Sequence, residues 1–125
     1  MHIGREEVGK YLVAVKQAIR EGRYRISPRK KNEQLTNEYI LSEANIEEIL
    51  LALCVEDFSE AVQNEHPQYQ HEVLYIFGKE VQLLPRYGEQ KETVALYIKF
   101  NQLTNLFVIV VSFHKQERPL RFQFR

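Results

Sequence analysis

Tyr97 and Lys99 stand two residues apart in the string ALYIKF, and Ser112 and His114 stand two apart in VIVVSFHK. In an extended strand, residues two apart share a face. Each string therefore presents its polar groups on one side, and His71 lies just ahead of a third apolar run, VLYIF. These types suit one chemistry. Histidine and tyrosine can handle protons, lysine can stabilise negative charge on phosphorus, and exposed aromatic rings can stack on unpaired bases. Those are the needs of metal-free RNA cleavage. His71, Tyr97 and His114 are the candidate catalytic groups, with Lys99 and Lys115 as cations beside them. The plain alternative is the solvent side of an antiparallel sheet, where Tyr, Ser, Lys and His are ordinary occupants.

Other chemistries find little support. His71-Glu72 has no second histidine four residues on, and His66 and His71 straddle Pro67 without thiolate support, so no metal site is expected. The glycines form no phosphate-cradling loop, and no cofactor is expected. Cys54, the single cysteine, lies in LLALCV and reads as a small buried hydrophobe. Ser112 has no base partner beyond His114 on its own strand.

Equal numbers of basic and acidic side chains, 17 of each, conceal a segregation. Residues 1–31 hold nine Lys/Arg against three Glu, residues 32–78 hold ten acids and no Lys/Arg, and residues 79–125 hold eight Lys/Arg against four Glu. A chain divided in this way can present a basic face despite zero net charge. Arg23, Arg25, Arg29, Lys30 and Lys31 form the densest basic stretch and are the candidate RNA anchor, with Lys99 and Lys115. A solvated turn is the bland reading of the same residues.

The elements that must position these groups follow from periodicity. Val8, Tyr11, Leu12, Val15 and Ile19 predict a first amphipathic helix stopped at Gly22. Arg23–Ser27 reads as a short extended piece, and 33–38 as a polar helix. Asn45 with Glu48 predicts the cap of a helix that buries Ile46, Ile49, Leu50 and Leu53. Glu56–Gln63 reads as a further short helix with Phe58 and Val62 inward. From Glu72 the pattern alternates. Glu72–Phe77 and Glu80–Leu84 flank Gly78-Lys79 as a hairpin, with Leu74, Ile76, Val81 and Leu83 inward and His71, Val73, Tyr75 and Phe77 outward. Thr93–Asn101 and Leu106–His114 are the longest strands. An even-numbered loop at Leu103-Thr104 pairs 97 with 110 and 99 with 108. That register places Val94, Leu96, Ile98 and Phe100 in the core with Phe107, Ile109, Val111 and Phe113. It also separates Tyr97 from His114 by roughly 13 Å. Pro119 demotes Leu120–Phe124 to an edge strand at best.

These readings give one domain over residues 1–125, of α+β class, with N-terminal helices packed on one face of a C-terminal antiparallel sheet. No apolar run is long enough to span a membrane, and the opening MHIGREEVGKY is unlike a secretory signal, so a cytoplasmic protein without a membrane partner is expected.

Several strings occur together in order: a first helix ending in GRYRI, then RKKN, IEEILLAL, EDF, LYIFGK, ALYIKF and VIVVSFH. The set resembles the MqsR-like toxins of bacterial type II toxin–antitoxin systems, which share the RelE-like ribonuclease fold. The resemblance covers most of the chain. It implies an mRNA interferase that inhibits translation and growth, acts on mRNA without metal, and is held by a cognate protein antitoxin; dependence on the ribosome stays open. By the same resemblance Tyr97 matches the tyrosine of the family's YLK strand. His114 stands where the family has a lysine after a Ser-Phe pair, with Lys115 next to it, and His71 falls near a family glutamine. Glu60 stands where the family has a lysine after the Asp-Phe pair. That departure keeps a second reading open: a non-catalytic nucleic-acid-binding or regulatory module on the same scaffold.

Overall fold

A computed structural model describes all residues 1–125 as three helices and a five-stranded mixed sheet, an α+β arrangement. Helix α1 (Arg5–Arg20) buries Val8, Leu12, Val15 and Ile19 as its spacing predicts. It ends in a Schellman turn: Gly22 adopts φ 73°, its N–H reaches the Ile19 carbonyl, and the Arg23 N–H reaches that of Ala18. Strand β1 (Tyr24–Ile26) follows, then helix α2 (Lys30–Glu38) and helix α3 (Glu43–Leu51). The cap of α3 is Ser42 with Asn45 in a reciprocal pair, three residues earlier than the Asn45–Glu48 pair that the sequence suggests.

The remaining strands are β2 (Phe58–Gln63), β3 (Val73–Leu83), β4 (Glu92–Gln102) and β5 (Val108–Lys115), in spatial order β1-β5-β4-β3-β2. All neighbours are antiparallel except β1, which adds to β5 in parallel, so the sheet is mixed rather than purely antiparallel. Residues from α1, α3 and β2 to β5 meet in one buried cluster, which Leu35 of α2 joins.

Four expectations fail for identifiable reasons. Residues 58–63 form a strand, not a helix. A bulge at Ser59 shifts the alternation, so Phe58 and Ala61 both face the core at a spacing of three that imitates a helical stripe. The predicted hairpin at Gly78-Lys79 does not form, and β3 runs through it for 11 residues. A close approach favours glycine there: a Cβ at Gly78 would lie 2.7 Å from the tip of the Leu120 side chain and 2.9 Å from that of Phe122, so either would have to shift. With the strand unbroken, Tyr75 and Phe77 face the core with Val81 and Leu83, while Leu74 and Ile76 point to the opposite face.

The register of β4 and β5 is offset from the expected one by four residues: Tyr97 pairs with His114 and Lys99 with Ser112. A second bulge after Lys99 then changes the parity, so Val108, Val110 and Phe113 are the core residues of β5, and Ile109 and Val111 are only partly buried. Finally, Cys54 is exposed, because α3 ends at Leu51 and Leu53 takes the buried position. Leu120–Phe124 forms no strand.

Candidate functional site

The face of the sheet opposite α1 carries two cross-strand rows. One is Glu60, Ile76, Lys99 and Ser112; the next is Gly78, Tyr97 and His114. Residues 116–125 fold back over this face at Gly78. Between this segment and the start of α2 lies a cleft of about 750 Å³, with Tyr97, Lys99, Ser112 and His114 on its lining. The four groups singled out by alternation thus share one cavity.

Direct pairing makes Tyr97 and His114 contact each other, instead of standing 13 Å apart. Their rings stack with centroids 5.1 Å apart and planes 12° from parallel. His114 is largely buried, and its Nδ1 lies 2.8 Å from the Lys115 carbonyl. A carbonyl can only accept, so Nδ1 carries the hydrogen and Nε2 is the nitrogen left to exchange a proton.

Helix α2 supports the cleft from the edge of the sheet. Beyond β1, the backbone of β5 would be unpaired, and the buried Asn32 side chain takes the place of a strand. Its Oδ1 accepts from the Phe113 N–H at 2.8 Å, and its Nδ2 donates to Val111 and Ser27 carbonyls at 3.1 and 2.9 Å. This fixes the start of α2, where Arg29 Nη1 donates to Ser112 Oγ at 3.1 Å.

The cleft is electropositive. Arg29, Lys99, Arg118 and Arg121 line it and form no ion pair; Lys31 is paired with Glu117. Burial, helped by the neighbouring Arg29 and Lys31 charges and partly opposed by Glu65, holds the Lys99 ammonium below the usual lysine range. Burial and the Glu60 carboxylate push the Tyr97 hydroxyl up, while Arg29 pulls it down. Tyr97 is therefore a proton-bearing donor near neutral pH.

Of the expected site residues, the cleft gathers Tyr97, His114, Lys99, Arg29 and Lys31. His71 is exposed in the turn before β3, outside the lining; from Val73 to the Gly78 row is already roughly 17 Å of strand. Arg23 is tied to Glu21 and the Leu106 carbonyl, and Arg25 and Lys30 are exposed outside the lining. Lys115 points to the other side of β5. There it pairs with Glu38 at 2.8 Å, lies 5.0 Å over the Tyr39 ring, and has its ammonium held above the usual range chiefly by the Glu38 hydrogen bond. Arg118, Arg121 and Ser59 join the lining without having been singled out, and Glu60 does so as an acid. The run Arg118-Pro119-Leu120-Arg121 was visible as charge; its return over the sheet was not, because Gly78 reads as a turn.

No three His, Cys, Asp or Glu side chains converge as metal ligands would, and no helix is long and apolar enough to cross a membrane. Comparison of the chain with protein-family models, curated proteins and solved structures finds no match.

Proposed function

We propose that this chain is a metal-independent endoribonuclease of the mRNA-interferase kind, the toxin of a type II toxin–antitoxin pair on a RelE/MqsR-like scaffold. Its substrate is unpaired mRNA in the cytoplasm, and its partner is a cognate protein antitoxin. The observation that carries the reading is the stacked Tyr97–His114 pair in a cleft whose Arg29 and Lys99 have no carboxylate partner. The ordered resemblance described above supports the family.

The reaction is a transesterification. The 2′-oxygen attacks the adjacent phosphorus, the P–O5′ bond breaks, and a 2′,3′-cyclic phosphate and a 5′-hydroxyl result. Two proton-handling groups are needed. His71 lies outside the cleft, so His114 finds its counterpart in Glu60, which lines the same cavity. Glu60 takes the proton from the 2′-hydroxyl, and His114 Nε2 gives one to the departing 5′-oxygen. The Nδ1–H bond to the Lys115 carbonyl orients the ring. Lys99 and Arg29 offset the charge that grows on the phosphoryl oxygens, and Tyr97 donates its hydroxyl or stacks on a base.

Glu60 also favours the second reading, a non-catalytic nucleic-acid-binding module, because it places negative charge where phosphate would lie. Induced expression separates the two. The interferase reading expects growth arrest and transcript loss, both absent for His114→Gln, and purified activity that EDTA leaves unchanged. Strict dependence on an added divalent ion would sink the metal-free mechanism. RNA binding without cleavage would select the module.

A further inference from the structure

Residues 116–125 do more than cover the sheet. Gln116 fixes the start of the segment: its backbone N–H donates to the Ala95 carbonyl at 2.9 Å and its side chain to that of Leu96 at 3.0 Å. Leu120 and Phe122 then rest over Gly78, whose missing side chain gives them room. The Ser59 hydroxyl donates to the Arg121 carbonyl at 2.6 Å, and the Gln123 N–H to that of Phe58 at 3.2 Å. At the far end Arg125 makes three contacts. Its Nη2 lies 3.1 Å from Asp57 Oδ1, its Nε donates to the Glu56 carbonyl at 3.0 Å, and its guanidinium lies 3.7 Å over the Phe122 ring. Asp57 is a buried carboxylate that also accepts from the Cys54 N–H and faces Lys79. The segment is a strap, seated on a glycine in the middle and pinned to a buried acid at its end.

Between those fixings the strap carries Arg118 and Arg121 along one wall of the cleft, both exposed and neither in an ion pair. We propose that Arg118 and Arg121 bind phosphates flanking the reacting one on a single RNA strand, and that Arg125 is the positioning residue that holds them there through Asp57 and Phe122. This rests on the ribonuclease reading for its ligand, but it concerns binding and not the chemical step. Guanidinium groups are suited to the role, since their fork matches phosphate oxygens.

The test is binding of a single-stranded RNA made uncleavable by 2′-O-methyl groups, measured from low to moderate salt. Each single-strand phosphate contact contributes about 0.7 to the salt slope. Arg118→Gln/Arg121→Gln should therefore reduce the slope by about 1.4 and weaken binding about ten-fold near physiological salt. Arg125→Gln should give part of the same loss, raising KM in cleavage while leaving kcat nearly unchanged, and Arg125→Lys should recover some of it. Asp57 keeps Cys54 and Lys79 in Arg125→Gln, and a thermal melt checks that the variant is folded. An unaltered slope in the double variant would overturn the proposal even if the wild-type chain cleaves RNA. So would a loss of kcat alone in Arg125→Gln. If the wild-type chain binds RNA with a strap-dependent slope but never cleaves it, the strap proposal stands and the ribonuclease reading falls. Failure of the wild-type chain to bind RNA would overturn both.

Discussion

His114 and Tyr97 face each other across one strand pair, yet they should respond differently to substitution. The Nδ1–H of His114 is committed to a carbonyl, which leaves Nε2 as its chemically active atom. His114→Gln keeps size and some hydrogen bonding, so the fold should persist while cleavage drops about 10²–10⁴-fold, as expected for loss of a general acid or base. The hydroxyl of Tyr97 is held in its protonated form by burial and Glu60, so it does not act as a base, and Tyr97→Phe should cost less than His114→Gln under the same assay. Lys99 offers a stability test with a definite sign. Burial lowers its folded-state value below the ordinary lysine value of about 10.4, so the unfolded chain holds this proton more tightly. The charged lysine therefore costs stability at every pH below the folded-state value, and that cost is relieved as pH rises from there towards the ordinary range. Lys99→Met should raise Tm at pH 7, lose the part of the stability gain with rising pH that Lys99 supplies, and weaken RNA binding. A lower Tm at pH 7 would show that Lys99 contributes packing rather than strain.

At the scale of elements, the Asn32 amide is the buried tie between α2 and the edge of the sheet. Asn32→Ala would leave the buried Phe113 N–H unpaired and take one donor each from the Ser27 and Val111 carbonyls, which keep Arg29, so it should cost about 2 kcal/mol in urea unfolding. It should also weaken RNA binding, because Arg29 and Lys31 begin that helix; undiminished stability would mean that water replaces the amide without loss. The helices were legible in the sequence because α1 and α3 repeat apolar residues with the helical period on one face. The polar face of β4 was legible for the same kind of reason, through strict alternation of Tyr97 and Lys99 with Leu96, Ile98 and Phe100. What alternation cannot show is a bulge. Those at Ser59 and after Lys99 turned β2 into an apparent helix and reversed the faces of residues 108–111. Nor does a glycine announce why it is there: at 78 it accommodates Leu120 and Phe122, which are over 40 residues away in the chain. The candidate site was therefore half readable. The residue types on the two long strands were right, while their contact and the strap that closes the cleft depend on long-range packing.

Across the whole molecule, zero net charge coexists with a cleft whose cations are largely unpaired, because the acids of residues 32–78 are mostly engaged or exposed elsewhere. Arg29 and Lys30 are adjacent in sequence but only Arg29 reaches the cleft. Arg29→Gln should flatten the salt dependence of RNA binding by about 0.7, and Lys30→Gln should leave it unchanged. Equal effects would indicate a diffuse basic surface instead of a defined track. The central claim, that this cleft cuts RNA by attack of the 2′-oxygen, is tested most directly by analysing the ends produced when the purified chain meets single-stranded RNA in EDTA. The account predicts fragments with 2′,3′-cyclic phosphate and 5′-hydroxyl ends, none from an all-2′-deoxy strand, and a rate greatly reduced in His114→Gln. Intact RNA in the presence of folded wild-type chain, or the same fragments at the same rate from His114→Gln, would contradict it.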